Sequence, residues 1–110
     1  MTKREVYKEI LDTVSGICEV SVEDILCGVR NCEVVEARCI AAHYLMRYGV
    51  LPADVVRFSN GEVKHRHCVT KSASSFHDRC RLSFSFRCDA ESVGNILKSK
   101  YEPKGNQTRM

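Results

Sequence analysis

The chain predicts an all-α domain of five to six helices that contains a helix-turn-helix. Three observations predict it. Apolar residues recur at three- and four-residue intervals along most of the sequence, and helix-start residues precede those stretches while glycines follow them. The apolar–polar alternation of residues 82–88 gives at most a lone strand with nothing to pair with. At 110 residues the chain is the size of one domain and can bury a core without staples. We expect a single helical domain over residues 1–102 and a polar, frayed tail over 103–110.

The first helix opens on Thr2-Lys3-Arg4-Glu5, a capping box, and carries Val6, Ile10, Leu11 and Val14 on one stripe. Ser15-Gly16 is expected to end it, and Ile17 to Val20 to connect it to a short helix opened by Ser21, with Ile25 and Leu26 inward and Gly28 as its stop. The strongest helix runs from Asn31 to Tyr48. Asn31 suits the N-cap, Glu33 the positive helix start and Gly49 the left-handed position after the end. A short helix over Leu51–Phe58 has Pro52 in its first turn, where a missing N–H costs nothing. Ser59-Asn60-Gly61 is a turn. A second helix over Glu62 to Arg79 or Cys80 follows, with Val63, Val69, Ala73, Phe76 and Cys80 inward. The alternating stretch Leu82–Cys88 would have no strand partner, so it reads as an extended connector whose apolar side chains clamp onto the core. Asp89 then caps a last helix to Tyr101.

Charge is uneven. Residues 1–50 carry a net of −2 and residues 51–110 a net of +5. Within 62–87, Lys64, Arg66, Lys71, Arg79, Arg81 and Arg87 face only Glu62 and Asp78. A positive field gathered on part of a small domain favours a polyanionic partner over a neutral one. The seven cysteines form no C-x-x-C pair and read as reduced core or boundary thiols. No apolar run approaches the ~20 residues that cross a bilayer. The charged start of the chain is unlike a secretory leader, so a cytoplasmic location and no membrane partner are expected.

Two short helices joined by a glycine-containing turn form a helix-turn-helix candidate. In that arrangement the first residues of the second helix meet base edges in the major groove, where Arg and Lys bond guanine and both bond phosphate. Lys64, His65, Arg66, His67 and Lys71 stand there, and Ser72 and Ser75 lie further along as donors to the backbone. Duplex DNA is the expected partner.

The stretch Val35-Glu36-Ala37-Arg38-Cys39-Ile40-Ala41-Ala42-His43-Tyr44-Leu45 resembles the central helix of the C-terminal, origin-box-binding domain of the bacterial replication initiator DnaA. Leu51-Pro52-Ala53-Asp54-Val55 is similar to the first helix of that family's helix-turn-helix. Lys64 to Val69 stands where its recognition helix begins, and Asp89 to Leu97 resembles its last helix. The resemblance covers nearly the whole chain and lies in order and spacing more than in identity. It implies a Trp-repressor-like fold, Arg38 reaching toward the minor groove, and backbone contacts before the central helix, where Arg30 is the remaining basic residue. The recognition stretch departs from the family: its aspartate and paired hydroxyl residues are replaced, so a changed base code is implied. No phosphate-loop motif occurs, so neither nucleotide binding nor ATP hydrolysis is expected. The chain reads as a stand-alone relative with a replication- or transcription-related role.

Other readings are open. His65, His67, Cys68, His77 and Cys80 are dense enough for a structural zinc site, although the usual paired spacing is missing. A helical protein-interaction module reusing the fold is another. An enzyme is not expected, because consecutive helical residues such as His67 and Cys68 diverge by about 100° and do not meet. The expectation is no cofactor and no metal.

Overall fold

The computed structural model describes residues 2–28 and 30–101. The tail expected over 103–110 lies outside the described residues. Among those described there is no strand, and the helices are α1 (Lys3–Cys18), α2 (Val22–Leu26), α3 (Cys32–Arg47), α4 (Pro52–Phe58), α5 (Arg66–Ser74), α6 (Phe76–Leu82) and α7 (Phe84–Tyr101). The all-α architecture is as the sequence predicts. The described helices come to seven because the long second-half helix is interrupted.

Local chemistry fixes most helix starts. Thr2 Oγ1 accepts from the Glu5 amide at 3.2 Å while Glu5 Oε1 accepts from the Thr2 amide at 2.9 Å. Ser21 Oγ caps α2 through the Asp24 amide at 3.1 Å, and Asn31 Oδ1 caps α3 through the Glu33 amide at 2.9 Å. Each bond satisfies a helix-end N–H that has no partner inside its helix. Pro52 occupies the first turn of α4.

Four boundaries differ from the sequence reading. α1 runs past Ser15-Gly16 to Cys18 and ends on Glu19 in the left-handed region, φ 58°, its N–H returned to the Ser15 carbonyl. The helix expected from Glu62 begins only at Arg66. Ser59 Oγ takes the Val63 amide at 3.0 Å and holds the intervening chain as a loop around Asn60 and Gly61, both at positive φ. The same expected helix breaks at Ser75. There Ser74 Oγ donates to the Lys71 carbonyl at 2.8 Å and Ser75 Oγ to the Ser72 carbonyl at 3.2 Å, hydroxyl bonds of the kind that bend helices. Finally, residues 82–88 are not an extended connector: only Ser83 is extended, and α7 starts at Phe84 with Ser83 Oγ accepting from the Phe86 amide at 3.3 Å. Of the four apolar side chains expected to clamp onto the core, Phe86 does so, whereas Leu82, Phe84 and Cys88 face outward.

α3 is the spine. It touches α1, α2, α5, α6 and α7, and buries Val34, Ala37, Cys39, Ile40, Ala41, Ala42 and Leu45. α1 presents Tyr7, Ile10, Leu11 and Val14 to it, and α7 presents Phe86, Ala90, Val93 and Leu97 to the common core. Small alanines on α3 leave room for the neighbouring helices to approach, and the larger side chains of α1 and α7 fill the layer between them. All seven cysteines are free thiols. Cys39 is buried and Cys18 and Cys80 are half-buried, but Cys27, Cys32, Cys68 and Cys88 are exposed, more than the core-thiol reading allows. α4 packs on α5, so the helix pair of the helix-turn-helix is present, joined by the longer loop over 59–65.

Candidate nucleic-acid interface

α5 is anchored by Val69, which is buried, and by half-buried Ala73. Arg66, His67, Thr70, Lys71 and Ser74 are exposed on the rest of its surface. Alternate exposure and burial at helical spacing turns a basic face outward while the back of the helix rests on α3 and α4. No acidic residue stands in the first turn of α5, and His65 at its N-cap makes no side-chain capping bond. The positive end of the helix is therefore uncompensated by its own side chains.

Beside α5 an open cleft of about 740 Å³ runs between this helix, the face of α3 and the end of α2. Arg30, Arg38, Lys64, His65, His67, Lys71, Ser72 and Ser75 line it, eight of the nine residues the sequence singles out. Arg66, the ninth, is outside the cleft and exposed at the first position of α5. Among the described residues Glu62 is the one acid that lines it, and Arg79 adds a cation that the sequence reading left out of the site. Arg79 reaches it from α6 because the chain bends at Ser75, and its Nε donates to Ser75 Oγ at 3.4 Å. That bend depends on side-chain bonds to the backbone, which charge pattern alone does not reveal.

The nine residues do not share one environment. Lys64, His65, Arg66, His67 and Lys71 are exposed. The His65 and His67 rings lie near-parallel with centroids 5.6 Å apart. Arg30 is exposed at the opposite wall, on the stretch before α3. Arg38 is half-buried, and its guanidinium is directed at α2: Nε donates to the Ile25 carbonyl at 2.7 Å and Nη2 to the Asp24 carbonyl at 3.0 Å. Burial lowers its pKa first of all, and the charge of Arg30 lowers it further, while Cys27 and Cys68 on either side act the other way. A guanidinium stays charged through such shifts. Ser72 is half-buried, and the Ser75 hydroxyl is engaged with Ser72, Arg79 and, at 3.5 Å, the Cys39 thiol.

A separate ring cluster lies behind the bend. His43 of α3 stacks on Phe76 with centroids 3.6 Å apart and planes 2° from parallel, and His77 meets both edge-on. His77 thus belongs to this cluster and not with His65 and His67. Among the described residues no group of three or more His, Cys, Asp or Glu side chains is placed to hold a metal ion, so the five residues considered for zinc are not brought together. No helix among the described residues is long and apolar enough to cross a membrane.

Comparison with known protein families, with curated proteins and with solved structures gives no match.

Proposed function

We propose that the chain binds duplex DNA in a sequence-specific manner, with α5 in the major groove and the far wall of the cleft toward the adjoining backbone. One observation carries the reading. Basic residues from three separate parts of the chain, Arg30 before α3, Lys64 in the loop and Lys71 on α5, line the same cleft, with Glu62 the one acid lining it among the described residues. Separate elements turning one sign of charge to a shared surface focus the field, and an exposed helix beside it supplies the shape for a groove.

Roles follow from exposure. Arg66, His67 and Lys71 meet base edges or phosphate from α5. Lys64 and His65 meet phosphate at its uncapped start, where helix amides also favour an anion. Arg30 contacts the backbone across the cleft. Arg38 acts chiefly by holding α2 and contributes charge from the cleft wall, and Ser75 acts by shaping the bend. The likeness to the box-binding domain of the DnaA initiator and the bacterial, replication- or transcription-related setting belong to this proposal and rest on the sequence resemblance; a cytoplasmic location belongs to it as well, as does the absence of an enzymatic role, for which the divergence of His67 and Cys68 along the helix is the support.

Selection from a random duplex library, followed by fluorescence anisotropy on the selected site, tests it. A binder making about five phosphate contacts loses affinity with a log–log salt slope of roughly −4 to −5. Arg66→Ala costs about 1–3 kcal/mol of binding and relaxes the selected sequence if it reads a base. No enrichment from the library, or binding that ignores salt, overturns the reading and leaves a protein-interaction module in its place.

A further inference from the structure

Four of the seven free thiols are exposed, and the basic cleft divides them: Cys27 and Cys68 line it, whereas Cys32 and Cys88 lie outside it. Cys68 is the third residue of α5, in the first turn, where no acidic side chain offsets the positive helix end. Lys71 and Ser72, three and four residues on, share its face of the helix and line the cleft with it. Cys27, at the end of α2, donates from Sγ to the Asp24 carbonyl at 3.8 Å, the same carbonyl that takes Arg38 Nη2 at 3.0 Å. Cys68 lies close enough to that guanidinium to act on it electrostatically, as Cys27 does. Arg30, Lys64 and Arg79 complete the basic walls around the two thiols, with Glu62 the one acid among the described residues.

We propose that the cleft draws in a small disulfide whose ends carry carboxylates and that Cys68 exchanges with it, leaving an anionic cap on the surface that faces DNA. In the exchange the Cys68 thiol gives up its proton, its sulfur bonds to one sulfur of the reagent, and the reagent's own S–S bond breaks. Cys68 is oxidised to a mixed disulfide. The departing half is reduced, leaves with the electron pair as a thiolate and takes up a proton. A thiol reductant reverses the step. Charge selects the class of reagent: walls carrying Arg30, Lys64, Lys71 and Arg79 concentrate carboxylates and offer nothing to an uncharged or cationic disulfide. Size agrees, since an open cleft of about 740 Å³ is in the range that holds a drug-sized molecule. Cys68 leads because the Cys27 thiol already donates to a carbonyl. The effect on DNA rests on the cleft being the DNA surface, whereas the exchange itself needs no DNA.

The test treats the full chain at low salt with less than one equivalent of either of two aromatic disulfides, the dianion dithiobis-nitrobenzoate or uncharged dithiodipyridine. Peptide mass mapping reads the label at each cysteine. The preference for Cys68 over Cys32 and Cys88 is expected to be about tenfold greater with the dianion than with the uncharged reagent, a ratio in which each thiol's own reactivity cancels. In molar salt the ratio falls toward one. Lys64→Gln with Lys71→Gln, both at exposed positions, lowers it about threefold and leaves the thermal melt unchanged. Oxidised glutathione then supplies the cap for the DNA measurement. The capped chain loses DNA affinity by about tenfold or more, since an anion now faces the phosphates. Dithiothreitol restores the affinity, and Cys68→Ser removes most of the loss. Equal preference with the two reagents overturns the proposal, as does a ratio unmoved by salt or by the lysine changes. So does a cap on Cys68 that leaves DNA affinity as it was. A chain that binds no DNA before treatment removes the DNA reading alone, and the reagent ratio still decides the exchange.

Discussion

Arg38 of α3 donates from Nε to the Ile25 carbonyl at 2.7 Å and from Nη2 to the Asp24 carbonyl at 3.0 Å, closing the C-terminal end of α2 from outside. α2 is only five residues long and has no basic residue in its last turn. Its final carbonyls, at the negative end of the helix, therefore take their cation from a neighbouring element. Arg38→Ala is expected to cost about 1.5–3 kcal/mol of stability, the usual worth of hydrogen bonds to a charged donor. Arg38→Lys recovers less than half, since an ammonium does not reproduce the two-pronged donor. Arg66→Ala, at an exposed position with no core contact, stays within about 0.5 kcal/mol of the parent in stability and acts on DNA affinity alone. Urea denaturation of the three variants separates the two kinds of arginine. Equal stability for Arg38→Ala and the parent chain would remove Arg38 from the scaffold and return it to the DNA surface.

His43 gives the fold an acid-sensitive point. Burial against Phe76, and then the charges of His77 and Arg47, push its pKa from 6.5 down to about 4. Between those values the unfolded chain takes up a proton at this residue and the folded chain does not, so protonation pulls toward unfolding. The stabilising effect is complete above pH 6.5, declines as the pH falls from 6.5 to about 4, and changes no further below that. Allowing for partial exposure, the loss is about 1–2 kcal/mol. Melting temperature followed from pH 7.5 to pH 4 is expected to fall through this window in the parent chain, and more gently in His43→Phe, which keeps a ring on Phe76 and cannot titrate. Parallel curves for the two proteins would contradict the assignment.

Asp54 acts in the opposite chemical sense. Its carboxylate accepts from Lys3 Nζ at 2.9 Å, from Arg57 Nη2 at 2.7 Å and from the Leu51 amide at 3.1 Å. The Lys3 bond, and next the Leu51 amide, hold its carboxyl below the ordinary value of 3.8. The stabilisation is thus present above pH 3.8 and is lost as the pH falls through the lowered folded value. Asp54→Asn keeps an acceptor for Leu51 and gives up both ion pairs. Its melting temperature is expected to lie below that of the parent at pH 7, with the gap narrowing in acid and in molar salt, because Lys3 and Arg57 are largely exposed. A gap that is the same at pH 7 and pH 3 would argue against the ion pairs as its source.

What the sequence made legible follows the range of the interactions involved. Thr2 with Glu5, Ser21 with Asp24 and Asn31 with Glu33 act within three residues, so the helix starts they make can be read directly. Ser83 works over the same short range as the cap of α7, but it sits inside an apolar–polar alternation that imitates an extended segment. The break at Ser75 is local as well; two hydroxyls turned back onto carbonyls undo a helix that the spacing of Val69, Ala73 and Phe76 supports. Arg38 marks the far limit, since its acceptors lie 13 and 14 residues away and nothing near it in the chain announces them. For the cleft, charge density around Lys64–Lys71 is visible in the sequence. That Arg30 and Arg79 share its walls depends on how α2, α3 and α6 pack, and spacing alone does not carry that.

Gly94 tests that tertiary arrangement most directly. It lies mid-way along α7 where the helix crosses α3, and a Cβ there would stand 2.5 Å from Tyr44 Oη and 3.2 Å from Cζ of the same ring. The ring is held, for Tyr44 Oη donates to the Ala90 carbonyl at 3.0 Å. In an open helix, alanine in place of glycine gains about 1 kcal/mol. Here the overlap costs about 1–3 kcal/mol, as forced core contacts do. Gly94→Ala is therefore expected to destabilise by up to about 2 kcal/mol once both effects are counted. Removing the hydroxyl with Tyr44→Phe relieves the shorter contact, so Gly94→Ala in that background is close to neutral. The double-mutant cycle then shows a coupling of about 1 kcal/mol or more, within the range for residues in direct contact. Gly94→Ala that stabilises the parent chain would mean α7 does not approach α3 this closely, and the position of the α6–α7 corner would have to be redrawn with it.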